Sequence, residues 1–501
     1  MESYATEAPE IASDPAKLEK DSGFRSLEAE SATQDRVDRH VVDFDGPDDP
    51  ENPLNWSNTR KWCLVGLISA MTLVTNLATL MCAPAAPLIL REFSSNNQLY
   101  QTLLVSIWEL GEAFGPLFIA PLSEIYGRAP VYNAVNILFC IFSIAGAVST
   151  NMHMFIAFRF LNGITVGAIV LNPSIVGDLF VTERRGNAMA IEGIAPLIGP
   201  VLGPVIGGYV SQAIGWRWLF WLAAIFAGIT EIGFLAFFRE TYKVRILERK
   251  AARLRKVTGD DSYKSVHHVT HTIMGFLTVS VMRPARMLLL SPVIFLLGLY
   301  VALVYAYTYV LLTTMTEVFE QRYGFSTGSA SLTFLGLGIG LTAGLLLCQA
   351  TLDRYVSRVQ TRGGAMKPEQ RLPPMIAGGL VIPAALLWYG WTVQTRAPWP
   401  APVVATATLG FAVAATLLPA FSYLVDAFGL HSASALAVTI SLRCVAGAAF
   451  PLVAPCLYDR LGVGWGTSVL AVVALVFVPV PLLLMWFGER VRLRSRLLVT
   501  Y

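Results

Sequence analysis

Between Gly199 and Gly208 the chain reads Gly-Pro-Val-Leu-Gly-Pro-Val-Ile-Gly-Gly, six helix-weakening residues in ten, inside a long apolar stretch. In water each interior proline costs roughly 3 kcal/mol of helix stability and each glycine about 1 kcal/mol relative to alanine. A bilayer changes that balance. Neighbouring helices re-satisfy the backbone groups that proline frees, and glycine repeated every four residues lets a second helix approach closely. The rest of the chain fits that setting: 54% of its 501 residues are hydrophobic, 14% are charged, and the mean hydropathy is +0.57. It reads as an all-α polytopic membrane protein.

The net charge of +3 is spread over loops, and no basic, aromatic-interleaved domain points to nucleic acid. The cysteines Cys63, Cys82, Cys140, Cys348, Cys444 and Cys456 lie in or beside apolar stretches without metal-ligand spacing, so they read as packing residues. His267, His268 and His271 sit in a polar loop, and neither a metal site nor a cofactor is expected. Residues 1–59 are polar and acidic, so no cleavable signal peptide is expected there. Ser22, Ser26 and Ser31 in that stretch are open to phosphorylation, but such serines are too common to argue from.

A window of roughly 20 apolar residues per crossing picks out twelve spans: 62–84, 100–121, 131–149, 153–176, 187–210, 217–238, 291–313, 328–350, 375–394, 401–425, 433–457 and 465–487. They predict twelve transmembrane helices in two six-helix, pseudo-symmetric bundles, residues 60–238 and 291–488. A disordered tail (1–59), a central loop (239–290) and a short C-terminal tail (489–501) complete the expected organisation. Arg60, Lys61, Arg128, Arg184, Arg185, the run Lys243 to Lys256, Arg354 to Arg371 and Arg490 to Arg496 all fall on one side of the membrane in this arrangement. The positive-inside rule therefore puts both termini in the cytosol. Within the central loop, Val244, Leu247, Ala251 and Leu254 recur at helical spacing beside a basic face. An amphipathic helix on anionic lipid is the first reading of that pattern, and a calmodulin-type target the second.

A two-fold repeat places a substrate site at mid-membrane between the halves. A weak echo supports it: Glu124, Gly127 and Arg128 follow span 2, and Asp353 and Arg354 follow span 8. These charges are candidates for a cytosolic gate. Ionisable residues at membrane depth are functional candidates by default. Glu109 and Glu112 are three apart in span 2 and share a helix face. Two carboxylates in a cavity suit proton coupling or cation binding; the alternative is a structural lock to an arginine or to backbone. Arg159 in span 4 and Glu192 in span 5 could meet, although Glu192 is open to an interfacial reading and Arg159 to that of a helix anchor. Glu231 in span 6 is open to either role. Arg443 in span 11 could pair across the halves, hold a substrate anion, or bridge carbonyls. Trp108, Tyr300, Tyr305, Tyr307 and Phe421 are the aromatic candidates for a substrate cavity, with Tyr309 on the Tyr305 face and Trp388 and Tyr389 in support. Lipid-interface belts are the competing use of such rings.

These residues carry a resemblance. Gly199, Gly203, Pro204, Gly207 and Gly208 match the antiporter motif G-x-x-x-G-P-x-x-G-G of the major facilitator superfamily. Asp49-Pro50-Glu51-Asn52-Pro53-Leu54-Asn55-Trp56-Ser57, Arg159-Phe160-Leu161-Asn162-Gly163, Glu240-Thr241-Tyr242, Tyr323-Gly324-Phe325-Ser326, Pro368 to Pro374, Tyr423 to Asp426, Ser434 to Ala437 and Phe450-Pro451-Leu452 resemble fungal twelve-span drug:proton antiporters, so the likeness spans residues 43–496. It implies the major facilitator fold, a part in proton coupling for Arg159, and outward transport. Two departures stand out. The gate motif after span 2 lacks two of its usual cations, leaving Glu124-Ile125 and Arg128-Ala129, and Arg239 replaces the usual proline before Glu240.

The leading expectation is a proton-coupled antiporter exporting lipophilic small molecules, antifungal drugs or endogenous toxic metabolites, by alternating access. A polyamine or other organic-cation exporter is the alternative. Its partners are substrate, protons and the bilayer, in a monomer at the plasma membrane. A non-transporting sensor or scaffold would be expected to carry longer cytosolic tails. No Walker lysine motif or GxSxG elbow is present, so no enzyme is expected.

Overall fold

The computed structural model describes residues 41–95, 97–266, 282, 285–361, 368–429 and 432–499. His267, His268, His271 and Ser22, Ser26 and Ser31 lie outside the described residues. The chain divides into a small unit, Met1–Asn55 with Lys243–Thr270, and a large one, Trp56–Tyr242 with His271–Tyr501.

In the large unit, span 1 is Asn58–Glu92, span 2 Gln98–Tyr126, span 3 Arg128–Ala147 and span 6 Arg217–Phe237. Span 4 runs from Met152 to Leu179 through a 3-10 stretch at Gly167–Leu171. Span 5 is built of Thr182–Glu192 and Ala195–Ile214. In the second half, span 7 is Pro292–Tyr323, span 8 Thr327–Leu332 with Phe334–Thr361, span 9 Pro373–Gln394, span 10 Pro400–Phe428 and span 11 Ser432–Ala449. Span 12 comprises Ala454–Phe477 and Pro479–Val499. Among the described residues, eleven helices are long and apolar enough to cross a membrane, and the shorter apolar Ile198–Ile214 of span 5 is the twelfth.

Three expected boundaries shift for local reasons. Span 5 breaks at Gly193 and Ile194, before its glycine-proline run. Span 11 was expected to reach residue 457. It tightens into a 3-10 turn at Phe450–Leu452, where Pro451 supplies no amide donor. The helix that follows bends at Gly462, whose φ of +76° a side chain would resist. The last helix continues to Val499, through residues expected to form a tail.

The packing repeats at an interval of six spans. Spans 1 and 5, 2 and 4, and 3 and 6 pack together in the first half, as 7 and 11, 8 and 10, and 9 and 12 do in the second. Spans 2 and 11, and 5 and 8, join the halves. Small residues set the closest approaches. In the Gly199 run, a Cβ on Gly199 would sit 2.7 Å from the Asn76 Cβ and one on Gly207 2.2 Å from the Met81 carbonyl oxygen, both in span 1. Gly203 has more room, 3.2 Å from the Leu80 Cβ. Gly208 turns to the other half, where Ser331 of span 8 would meet its Cβ at 2.3 Å. Pro200 and Pro204 lie inside the continuous helix Ala195–Ile214.

The small unit corrects the expectation that residues 1–59 are a disordered tail, for the part that is described. Val41–Val42 pairs in parallel with Lys264–Ser265. Asp49 accepts the amides of Asp45 and Glu51, each at 2.8 Å, and Asn55 donates to the Pro47 and Asp49 carbonyls at 2.7 and 2.9 Å. The expected central-loop helix forms at Lys243–Thr258, with Ile246, Leu247 and Ala251 buried. Its basic face is partly engaged: Lys250 pairs with Asp45 at 2.7 Å and Asp49 at 3.3 Å, and Arg253 with Glu51 at 3.1 Å. The Asp45 amide leads the interactions that hold the Asp49 carboxyl below its ordinary range, against the opposing effect of burial.

Candidate functional site

Glu109, fully buried in span 2, accepts a short hydrogen bond from the Tyr309 hydroxyl of span 7. One helical turn along span 2, Glu112 lies 3.7 Å from the Arg443 guanidinium of span 11. Arg443 in turn lies over the ring of Tyr305 at 4.6 Å and 5.8 Å from that of Phe421 in span 10. Tyr305 packs on Tyr309 at 5.0 Å between ring centroids, and Gly447 of span 11 leaves room for both rings. The cluster therefore draws on both halves and on four helices.

Its energetics are unbalanced. At 3.7 Å the Glu112–Arg443 pair is an ion pair without a close hydrogen bond, and Arg443 Nε has no hydrogen-bond partner among the described residues. Glu109 Oε2 likewise has no nitrogen or oxygen partner among them. Within the cluster two carboxylates face one guanidinium, and the next cation within electrostatic reach of Glu109 is Arg159, whose own hydrogen bonds go to carbonyls. Burying a carboxylate that lacks its own close cation costs free energy. Glu112 and Arg443 are each about one-fifth exposed, so this end of the cluster faces an opening.

Arg159 is arranged differently. Its guanidinium donates to the carbonyls of Leu104 at 3.0 Å, Ala78 at 3.1 Å and Thr79 at 3.1 Å, and lies over the Trp108 ring at 4.4 Å. It ties span 4 to spans 1 and 2. The expected meeting with Glu192 does not occur. Glu192 accepts from Asn172 at 3.0 Å, and Asn172 also reaches Thr72 at 2.9 Å and receives the Tyr132 hydroxyl at 3.2 Å. A polar neighbour on span 4, nearer than Arg159, satisfies Glu192 instead. Glu231 is held inside the first half by Asn136 at 2.9 Å.

The aromatic candidates split. Tyr305 and Phe421 are half-buried and lie against Arg443. Trp108, Tyr300 and Tyr307 lie apart from that cluster, each at most 2% exposed and packed inside one half. Trp108 lies beneath Arg159 and edge-on to Phe139, and Tyr307 donates to the Leu470 carbonyl of span 12 at 3.1 Å. The physical reason is helical phase. At 100° per residue, Tyr300 and Tyr307 point away from the side that carries Tyr305 and Tyr309.

At the end of the bundle that carries Arg128, the expected gate takes another form. Gly127 caps span 2 at φ +103°, as only glycine does comfortably. Glu124 is exposed, and the carboxylate that meets Arg128 is Asp178 at the end of span 4, at 3.1 Å. The Arg128 amide donates to Glu240 at 2.9 Å, beyond span 6, and its guanidinium lies 5.3 Å from the Tyr242 ring. The second half repeats this pin with Arg371, which donates from Nε to Asp426 at the end of span 10 at 2.6 Å. Arg354 is exposed, and the Asp353 side chain lies outside the described residues. Asp178, Asp426 and Tyr309 as a carboxylate partner were missed from sequence. Six spans on, Arg371 stands where Arg128 does and Asp426 where Asp178 does.

A two-fold bundle of membrane-length apolar helices with ionisable groups at the seam between its halves is the architecture of a multi-pass membrane transporter. The chain belongs to the Major Facilitator Superfamily, which its residues 68–451 match. It is 43% identical over 466 residues to "Efflux pump radE" of Floropilus chiversii, covering 92% of this chain and 87% of that one. To "MFS-type transporter tndD" of Aspergillus flavipes it is 42% identical over 498 residues, 98% of this chain and 92% of the other. Among solved structures, the inward-open, partially occluded xylose transporter XylE from E. coli shares the fold at a TM-score of 0.63 and 16% identity, over 86% of this chain and 98% of that one.

Proposed function

We propose that the chain is a proton-coupled antiporter that exports lipophilic small molecules by alternating access, from a plasma membrane with both termini in the cytosol. The observation that carries the reading is the cluster Glu109, Glu112, Tyr309 and Arg443, shared between the two halves and short of one positive charge. A proton supplies that charge. Rearranging the halves alters the distance from Arg443 to both carboxylates, and with it their proton affinity, which is the coupling an antiporter needs. Tyr305 and Phe421 offer apolar ring area at the open side of the cluster, suited to a flat lipophilic substrate. The name of the efflux pump relative agrees with the outward direction.

Arg443 also weighs between the two substrate classes. A guanidinium beside Glu112 leaves a single carboxylate uncompensated, which suits one proton better than a polyamine with several positive charges. In everted vesicles, a panel of rhodamine 6G, an azole and spermine, with and without a pH gradient, tests the reading. Gradient-driven uptake of the lipophilic compounds is expected. Transport indifferent to an uncoupler removes the coupling, and spermine uptake abolished by Glu109→Gln restores the polyamine alternative.

A further inference from the structure

Spans 2 and 7 meet a second time, two turns from the Glu109–Tyr309 contact. There Gln101 donates to Glu317 Oε2 at 3.1 Å and Gln321 donates to its Oε1 at 2.8 Å. Gln101 precedes Glu109 by eight residues and Glu317 follows Tyr309 by eight, so the antiparallel pair repeats about 12 Å along the helices. Between the halves at this level lies a cavity of about 100 Å³, lined by Gln101, Thr102, Thr313, Thr314, Glu317 and Tyr458 among others. A polar cavity of that size has room for ordered water, which needs only about 10–15 Å³ of such space per molecule.

Its lining is polar at the top and continues downward. Thr102, Ser106 and Glu109 follow one another at helical spacing on span 2, and the fully buried Ser106 hydroxyl has no hydrogen-bond partner among the described residues. The apolar side chains of Val105 and Leu312, buried at the level between the two polar contacts, separate them in this conformation.

We propose that this cavity is a hydrated antechamber through which protons from the outer face reach Glu109, with Glu317 as its proton-accepting carboxylate. The proposal rests on the proton-coupled reading above. The two amide donors hold the Glu317 carboxyl in place at the cavity wall, where it can take a proton from outside water. Val105 and Leu312 act as a plug that opens only when the halves part on that side, so the proton moves with the transport cycle and does not leak. The groups that face Glu317 are Gln101, Gln321, Glu320, Arg322, Tyr458 and Asp459. Those that face Glu109 are Glu112, Arg159, Tyr305, Tyr309, Arg443 and Cys444.

The test uses rhodamine 6G in proteoliposomes, comparing gradient-driven transport with substrate-for-substrate exchange, which needs no net proton movement. Glu317→Gln is expected to slow driven transport about tenfold at neutral outer pH, a barrier change of about 1.4 kcal/mol. It should recover as the outer side is acidified, leave exchange within about twofold, and be rescued by Glu317→Asp. A Glu317→Gln chain that matches wild type at every outer pH overturns the antechamber but leaves the coupling centre standing. Loss of exchange together with driven transport, unrescued by aspartate, also overturns it. Glu109→Gln with wild-type driven transport overturns the coupling centre instead. A substrate-free measurement stands beside these: Glu317→Cys, in a Cys456→Ser chain, should react with a membrane-impermeant thiol reagent added outside. No reaction, or reaction only from inside, overturns the proposal.

Discussion

Two arginines sit deep in the bundle, and their surroundings differ completely. Arg159 spends its guanidinium on three backbone carbonyls and a tryptophan face within one half. Arg443 lies between two aromatic rings, 3.7 Å from a carboxylate of the opposite half, with its Nε unpaired among the described residues. Backbone carbonyls cannot change protonation state, so Arg159 holds one arrangement. A carboxylate can be neutralised, so Arg443 has two. The difference separates a buried charge that builds the bundle from one that can switch it. It is the reason the proposed centre of coupling is placed at spans 2, 7 and 11, where sequence motifs alone point to span 4.

The largest expected effect tests the structural side. Arg159→Ala removes three hydrogen bonds from a charged donor, each worth roughly 1.5–3 kcal/mol. The variant should lose thermal stability in detergent and fall several-fold or more in membrane abundance. Arg443→Ala should remain folded and abundant while gradient-driven transport drops by at least about a hundredfold, the scale of breaking a buried ion pair. Equal abundance of the two variants, or equal collapse, breaks the comparison.

Next comes the seam beside the Gly199 run. A methyl group on Gly207 would strike the Met81 carbonyl, whereas one on Gly203 would press against side chain and backbone that lie about 1 Å farther off. Gly207→Ala should therefore impair transport more than Gly203→Ala, by about tenfold, at similar membrane abundance. The reverse order removes the close approach of spans 1 and 5 from the account.

Smaller effects are expected at the charged pins. Asp178→Asn and Asp426→Asn should each change transport by no more than a few-fold, as partly exposed ion pairs do. Their similarity sharpens the two-fold repeat, and a large effect at only one of them breaks it. Smallest is the pH response of the small unit. The Asp49 carboxyl titrates below its ordinary range in the folded chain, so its contribution is present above the unfolded value and is lost as pH falls through the lower, folded one. Proteolysis within residues 43–51 should stay slow at pH 5 and accelerate only in stronger acid. Asp49→Asn should accelerate it already at neutral pH.

Much of this was legible in the sequence, because bilayer thickness sets the length of an apolar run and charge sets its ends. The twelve crossings and the close approach of Gly199 and Gly207 to a neighbour follow from those rules. The pairing of polar groups did not. Tyr305 and Tyr307 look alike in a list of span 7 aromatics, yet two residues on a helix turn them to different partners. Arg159 was open to a carboxylate partner, which the resemblance implied, or to a helix anchor, and carbonyls of the facing turns hold it. Arg128 found Asp178, and Arg371 found Asp426, across distances in sequence that no local spacing encodes. The order of residues 41–55 was missed because their acids look like those of a solvated tail until Lys250 and Arg253 stand opposite.

The central claim is that Glu109 couples proton movement to transport. The most direct measurement compares wild type with Glu109→Gln in one preparation of proteoliposomes, recording rhodamine 6G movement under a pH gradient and then exchange at equal pH. The account predicts that the variant loses gradient-driven transport at every pH and keeps exchange. Gradient-driven transport at the wild-type rate would contradict it.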